Sequence, residues 1–337
     1  MNPQSATRPR AVLLWLGLVL VAALLVHVGI GGSVRLSPAE VIRALFAGPN
    51  ANLEDTTIIW SLRLPRAMGC LCIGAMLGIV GSAFQALFRN PLADPYIVGV
   101  SAGAGVGGAL VAVIGFAGAA AGLAMMGGAF LGGMLSLLVV LALVRRKGTI
   151  PVTHLLLAGV VMGSMLAGVL SLVLLAAGQD TQQVLRWLLG SMTPMFWNRL
   201  AVLYVLLALG AVALFLETRR LNAFAVGEDA AARLGVNTNR LKWMVLIVGT
   251  AMTAAAVGTV GIIGFLGLVA PHLGRLLVGV DWRKSLPAAG IVGGTLLLAA
   301  DLLAQHISQG EVPVGVVTSV LGAPFLLGLL RKQQTAN

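Results

Sequence analysis

The sequence predicts an all-α, polytopic membrane protein of ten transmembrane helices, with the N-terminus and the C-terminus both cytoplasmic. Three observations carry this reading. The 337 residues are 58% hydrophobic and only 10% charged, with a mean hydropathy of +0.99. A soluble domain carries roughly 25% charged residues, so this chain could not wet its surface. The apolar residues fall in long charge-free stretches, and a helix needs about 20 of them to cross a bilayer. The basic residues are distributed unequally between alternate connecting segments, as the positive-inside rule requires.

The stretches are 11–34, 67–88, 95–144, 148–179, 200–216, 243–274, 285–300 and 312–330. The run 95–144 holds two crossings with a small-residue break near Gly115–Gly122. The run 243–274 makes one very long helix, or two short ones broken at Gly258–Gly264. Charge decides for two. Ten crossings place only Arg35, Arg43, Arg63, Arg66, Arg186 and Arg199 outside, and the other basic residues inside, among them Arg146, Lys147, Lys242 and Lys284. Nine crossings would move Arg283, Lys284, Arg331 and Lys332 outside.

The first apolar run follows Arg8 and Arg10 as in a signal peptide, but it lacks a small-x-small cleavage site and reads as an uncleaved helix. The whole chain, 1–337, reads as one transmembrane unit with a longest cytoplasmic segment at 217–242. Glycines spaced by four, such as Gly74/Gly78, Gly103/Gly107, Gly128/Gly132, Gly159/Gly163 and Gly290/Gly294, let helix backbones approach closely in lipid. Cys70 and Cys72 read as small core residues.

Four connecting segments carry information. Ser37-Pro38-Ala39-Glu40 is a capping box that opens a short amphipathic helix on the outer face, ended by Gly48-Pro49. Arg63 and Arg66 of Arg-Leu-Pro-Arg sit at the outer mouth of the second crossing, against the charge bias, where they could meet lipid phosphates or fork onto a partner's carboxylates. Arg89, Asn90, Pro91, Asp94 and Pro95 form a stiff inner loop before the third crossing. In 217–242, Glu228 and Asp229 open a two-turn helix, Arg233 comes late and Gly235 stops it. Such a helix, lying in the cytoplasm between two crossings, is either a solvated connector or a peg for a soluble partner.

The chemistry of an enzyme is missing. There is no phosphate loop, no H-E-x-x-H and no nucleophile elbow, so no catalytic residue is assigned. His27, His154, His272 and His306 are scattered, and no metal site is assigned. An ion-coupled transporter normally carries acids inside its helices. The one candidate is Asp301, about 14 residues past Pro287 and so roughly 21 Å along the helix. The residues describe a membrane body with no energy source of its own, a pore subunit energised in trans.

Five groups of residues in order carry a resemblance. They are R-L-P-R at 63–66, R-N-P-L-A-D-P-Y at 89–96 with G-V-S-A-G-A-G at 99–105, G-E-D-A-A-A-R-L-G-V at 227–236, G-F-L-G-L-V-A-P-H-L-G-R at 264–275 and E-V-P-V-G-V-V-T-S-V-L-G-A-P-F at 311–325. The chain resembles, from about residue 35 to 330, the permease subunits of bacterial ABC importers for iron-siderophores, haem and vitamin B12. The resemblance implies a multi-pass protein of the cell inner (cytoplasmic) membrane that pairs with a second permease subunit, expected to be an identical chain. Two ABC ATPase subunits would dock on its cytoplasmic face, holding ATP and Mg themselves, while this chain binds no cofactor and no nucleic acid. Gly227, Glu228, Asp229, Ala230, Ala231, Ala232, Arg233, Leu234 and Gly235 look like the family's ATPase-coupling helix. Arg63 and Arg66 would meet glutamates of an extracytoplasmic substrate-binding protein, and a short helix at 181–190 resembles the pathway-lining helix. Many relatives carry an arginine four residues after the acid matching Asp301; here that residue is Gln305. The implied cargo is a bulky metal chelate, an iron-siderophore before haem or a corrinoid. The competing readings are a stand-alone ion-coupled secondary transporter and a membrane enzyme or scaffold.

Overall fold

The computed structural model describes residues 4–51, 54–115, 121–145, 149–178, 181–193, 195–307 and 312–334. Most of the expected 115–122 break, and Arg146 and Lys147, lie outside the described residues. The helices are α1 (Gln4–Ile30), α2 (Pro38–Ala47), α3 (Glu54–Thr57), α4 (Leu64–Phe88), α5 (Val100–Ile114), α6 (Ala121–Val144), α7 (Val152–Ala176) and α8 (Thr181–Leu188). They continue with α9 (Trp197–Leu216), α10 (Thr218–Val226), α11 (Glu228–Arg233), α12 (Thr238–Val260), α13 (Leu266–Val278), α14 (Trp282–His306) and α15 (Val314–Gln334). A π-helical stretch, Ile58–Arg63, joins α3 to α4.

Seven described helices are long and apolar enough to cross a membrane; α5, α13 and Val314–Gly328 are shorter apolar helices. Together they fall in order on the eight apolar stretches. The run 243–274 is two helices, because Gly261 takes φ +77° and closes α12. Two of these helices are short. The 13 residues of α13 rise roughly 20 Å, short of a bilayer core of about 30 Å. The 15 residues of α5 also fall short, because the chain before it folds into the bundle as irregular backbone. That is tolerated at membrane depth where protein covers it.

The core forms around α4, which is buried along nearly its whole length, as a helix apolar on every face should be. Its closest partner is α14, antiparallel to it. The seam is made of glycine: a Cβ on Gly74 would lie 2.6 Å from the Gly293 carbonyl carbon and 2.7 Å from the Gly294 Cα. The same device joins α5 to α6, where Gly103 and Gly107 face Gly132 and Gly128. These spaced pairs therefore close intramolecular seams. At the periphery, α7 buries only Leu155, Gly159 and Met162, and side chains such as Leu172 and Leu175 are exposed, as lipid-facing leucines would be. The α2 capping box is present: the Ser37 hydroxyl accepts from the Glu40 N–H and the Glu40 carboxylate accepts from the Ser37 N–H at 2.7 Å.

Candidate functional site

The two ends of the bundle each gather polar residues. One end holds α10, α11 and the starts of α12 and α14; the other holds Arg66 and the close of α14.

At the first end α11 forms as its sequence dictates. Glu228 and Asp229 lie in its first turn and Arg233 in its last, matching the helix dipole. Gly235 takes φ +81°, its N–H donating to the Ala232 carbonyl while the Val236 N–H donates to the Ala231 carbonyl. That is a Schellman stop. Ala231 anchors the helix inward, whereas Asp229, Ala232 and Arg233 are exposed. Leu234 is 75% and Val226 81% exposed, so α11 is flanked by uncovered apolar side chains. Glu228 faces inward: Lys242 Nζ and the Thr238 hydroxyl both donate to its carboxylate, the latter at 3.3 Å. Nearby, Asn222 Nδ2 donates to Asp281 at 2.8 Å and ties α10 to the start of α14. Hydrogen bonds from Arg283, reinforced by Asn222, hold the Asp281 carboxyl well below the usual carboxylate range.

The loop Arg89–Pro95 also belongs to this end. Arg89 closes α4 with φ +47°, a left-handed conformation uncommon outside glycine. Asn90 and Asp94 each accept a backbone N–H two residues on, from Leu92 at 2.9 Å and Tyr96 at 2.8 Å. These Asx turns stiffen the loop as expected. Pro91 lies on its exposed part, and Arg89 comes close to Gly227 of the α11 turn. Beyond Asp94 the chain goes inward: Pro95 packs on Gly267, and the Tyr96 hydroxyl donates to the Ile263 carbonyl at 3.1 Å.

At the other end the arginine pair divides. Arg63 is enclosed rather than exposed. It is 5% exposed, and its guanidinium donates to the carbonyls of Val28 (3.0 Å), Gly29 (2.7 Å) and Val34. Two of these are unpaired acceptors at the end of α1, and Arg63 serves as their cap. Arg63→Ala is expected to lose about 1–3 kcal/mol of stability by leaving those acceptors unmet, read as a lower unfolding temperature in detergent.

Arg66 instead grips Asp301 with both oxygens, Nε to Oδ2 at 2.8 Å and Nη2 to Oδ1 at 2.9 Å, and Nη1 donates to the Thr193 hydroxyl at 2.9 Å. Asp301 is wholly buried, and His27 Nε2 at 2.8 Å and Gln305 Nε2 at 2.7 Å complete its shell. Gln305 Oε1 accepts from the Gly32 N–H at 2.5 Å, so the glutamine ties α14 to the end of α1. Ligand atoms of His27, Cys70 and Asp301 lie within 4.8 Å of one another. A cation would find Asp301 already facing a guanidinium, so these residues do not fit a metal. The same pairing engages the one acid that an ion-coupled mechanism would need. A cavity of about 250 Å3 opens beside this cluster, lined by Arg66, Met192, Thr193, Met195 and Gln305.

The helix α8 stands where the 181–190 reading expects one, and its Arg186 and Trp187 line a second cavity with Arg199 of α9. Sequence reasoning missed two groups. The Asp301 cluster joins residues up to 278 positions apart, and no local pattern points to it. Lys242 counted only as an inner charge; it is 2% exposed. Its position inside the buried face of α12 was the available signal.

Residues 18–332 match the model of the FecCD transport family. The ABC transporter permease protein YvrB of Bacillus subtilis is 39% identical over 319 residues, covering 90% of this chain and 89% of that one. The cobalamin import system permease protein BtuC of Halobacterium salinarum is 38% identical, covering 82% and 74%. A solved chain described as an inward-facing conformation of a metal-chelate type ABC transporter superposes with a TM-score of 0.85 at 30% identity, covering 96% and 99%.

Proposed function

The chain belongs to the FecCD transport family, and from that premise we propose that it is the membrane-spanning permease subunit of a binding-protein-dependent ABC importer that carries a bulky metal chelate into the cytoplasm. The Glu228 end faces the cytoplasm and the Arg66 end faces outward, with ten crossings in the cytoplasmic membrane and both termini inside. A second copy of this chain completes the pathway. Two ATPase subunits bind ATP and Mg and dock at the cytoplasmic end. The chain itself hydrolyses nothing.

The observation that carries this reading is α11. A two-turn helix held by a Schellman stop, anchored by Ala231 and Glu228, presents Asp229, Arg233 and Leu234 to the solvent. It is rigid, charged and apolar-tipped, as a peg for a cleft in a soluble partner must be. At the outward end the docking role falls to Arg66, since Arg63 is buried. A carboxylate of the binding protein would compete with Asp301 for its guanidinium. The cargo is an iron-siderophore before haem or a corrinoid, and the cobalamin permease among the relatives supports this class of chelate.

The test is purification of the tagged chain from its own membranes in mild detergent, followed by reconstitution of what accompanies it. A stoichiometric ATPase subunit, and uptake that needs both ATP and the binding protein, are the expected results. A chain recovered alone even after cross-linking, or one that moves solute down an ion gradient by itself, overturns the proposal.

A further inference from the structure

Lys242 is a buried cation at a place where lysine usually reaches water. It stands in the second turn of α12, close to the bundle end, where its long stem could snorkel outward. It turns inward instead. Nζ donates to the Ile150 carbonyl at 2.7 Å and to the Glu228 carboxylate, and it stands 5.9 Å from the centre of the Phe224 ring. Burying an ammonium is costly unless its donors find partners. Here the partners come from three separate segments: the chain before α7, the first residue of α11, and α10. The same segments are tied twice more, by Thr238 to Glu228 and by the Ile150 N–H to Asn239 Oδ1 at 3.4 Å.

What Lys242 begins, α12 continues. This helix runs 23 residues without a proline, roughly 34 Å, and is buried along most of its length. Its far end meets the α8 segment directly. The Ser191 N–H donates to the Val260 carbonyl at 2.8 Å, and the Ile262 N–H donates to the Leu188 carbonyl at 3.3 Å. Any side chain at Gly261 would run into the Trp187 carbonyl. One rigid element thus touches the peg at one end and the short helix α8 at the other.

We propose that Lys242 is the positioning residue that fastens α11 to α12, so that displacement of the peg is carried along α12 to α8 and the Ser191 turn. This rests on the reading of α11 as the ATPase dock. The lysine touches neither cargo nor nucleotide. It makes the peg and the lever one body, as coupling through a two-state element requires.

The experiment uses the complete reconstituted complex, with an environment-sensitive dye on Gln183→Cys, an exposed position of α8; the native Cys70 and Cys72 are buried. ATP is the probe, and the dye signal is read beside ATPase co-purification. Lys242→Met is expected to keep the ATPase bound but to lose the ATP-driven dye change by at least about fivefold. Lys242→Arg should keep most of it, and Glu228→Lys with Lys242→Glu should recover part of it. A merely structural lysine would change unfolding temperature without this pattern. If Lys242→Met is not recovered folded, Glu228→Gln replaces it with the same expectation. A full dye response in the neutral variant overturns the inference alone. A wild-type chain that binds no ATPase overturns the proposed function and the inference with it.

Discussion

Arg66→Ala is expected to destabilise the protein by about 3–5 kcal/mol, because it leaves the Asp301 carboxylate buried without its cation. The magnitude follows from burial. Asp301 is wholly enclosed and the Arg66 side chain is only 14% exposed, so solvent screens the pair little. His27 and Gln305 would still donate to it, but neither supplies the forked pair that Arg66 makes. The comparison that isolates the pair is a double-mutant cycle. Arg66→Ala with Asp301→Ala removes the buried charge as well as its partner and should be less damaging than Arg66→Ala alone. Thermal unfolding of the four variants in one detergent gives the answer. Losses that simply add would mean that the two residues do not act together, and the Arg66 end would need another account of its stability.

Gly74→Leu is expected to abolish recovery of folded chain. Lipid tails are as apolar as leucine, so close packing and not water exclusion holds one membrane helix to another. At Gly74 a new Cβ would meet backbone of α14, the Gly293 carbonyl oxygen first, then its carbon at 2.6 Å and the Gly294 Cα at 2.7 Å, and backbone cannot rotate away as a side chain can. Overpacking typically costs about 1–3 kcal/mol, and here α4 and α14 must separate along the most extensive seam of the fold. Gly168→Leu on α7 is the control, because nothing lies within 4 Å of a Cβ there. Equal yields of the two variants, read by size-exclusion chromatography in detergent, would show that the α4–α14 seam is looser than described.

Much of the site is legible along the chain because its signals are local. The capping box needs Ser37 and Glu40 three residues apart, and the α11 stop needs Gly235 directly after the helix. Both form as their neighbours in sequence require. The stiff turns at Asn90 and Asp94 are equally local. Arg63 and Arg66 show where this stops. They are three residues apart and chemically identical, and one is enclosed as the cap of α1 while the other grips Asp301. Their surroundings come from α1 and α14, so nothing near them in sequence separates their roles.

By itself, the sequence determined that the chain is a helical membrane protein, where its apolar segments begin and end, and which connecting segment forms the short helix α11. These depend on hydropathy summed over contiguous residues and on hydrogen bonds reaching at most a few positions along the chain. The tertiary structure alone decided which charges are buried and with whom. It also made α5 and α13 short helices, each entered through irregular backbone, and it placed α12 between α11 and α8. Burial and pairing depend on helices that meet after folding, and the energy of a buried charge is set by the partners it meets there.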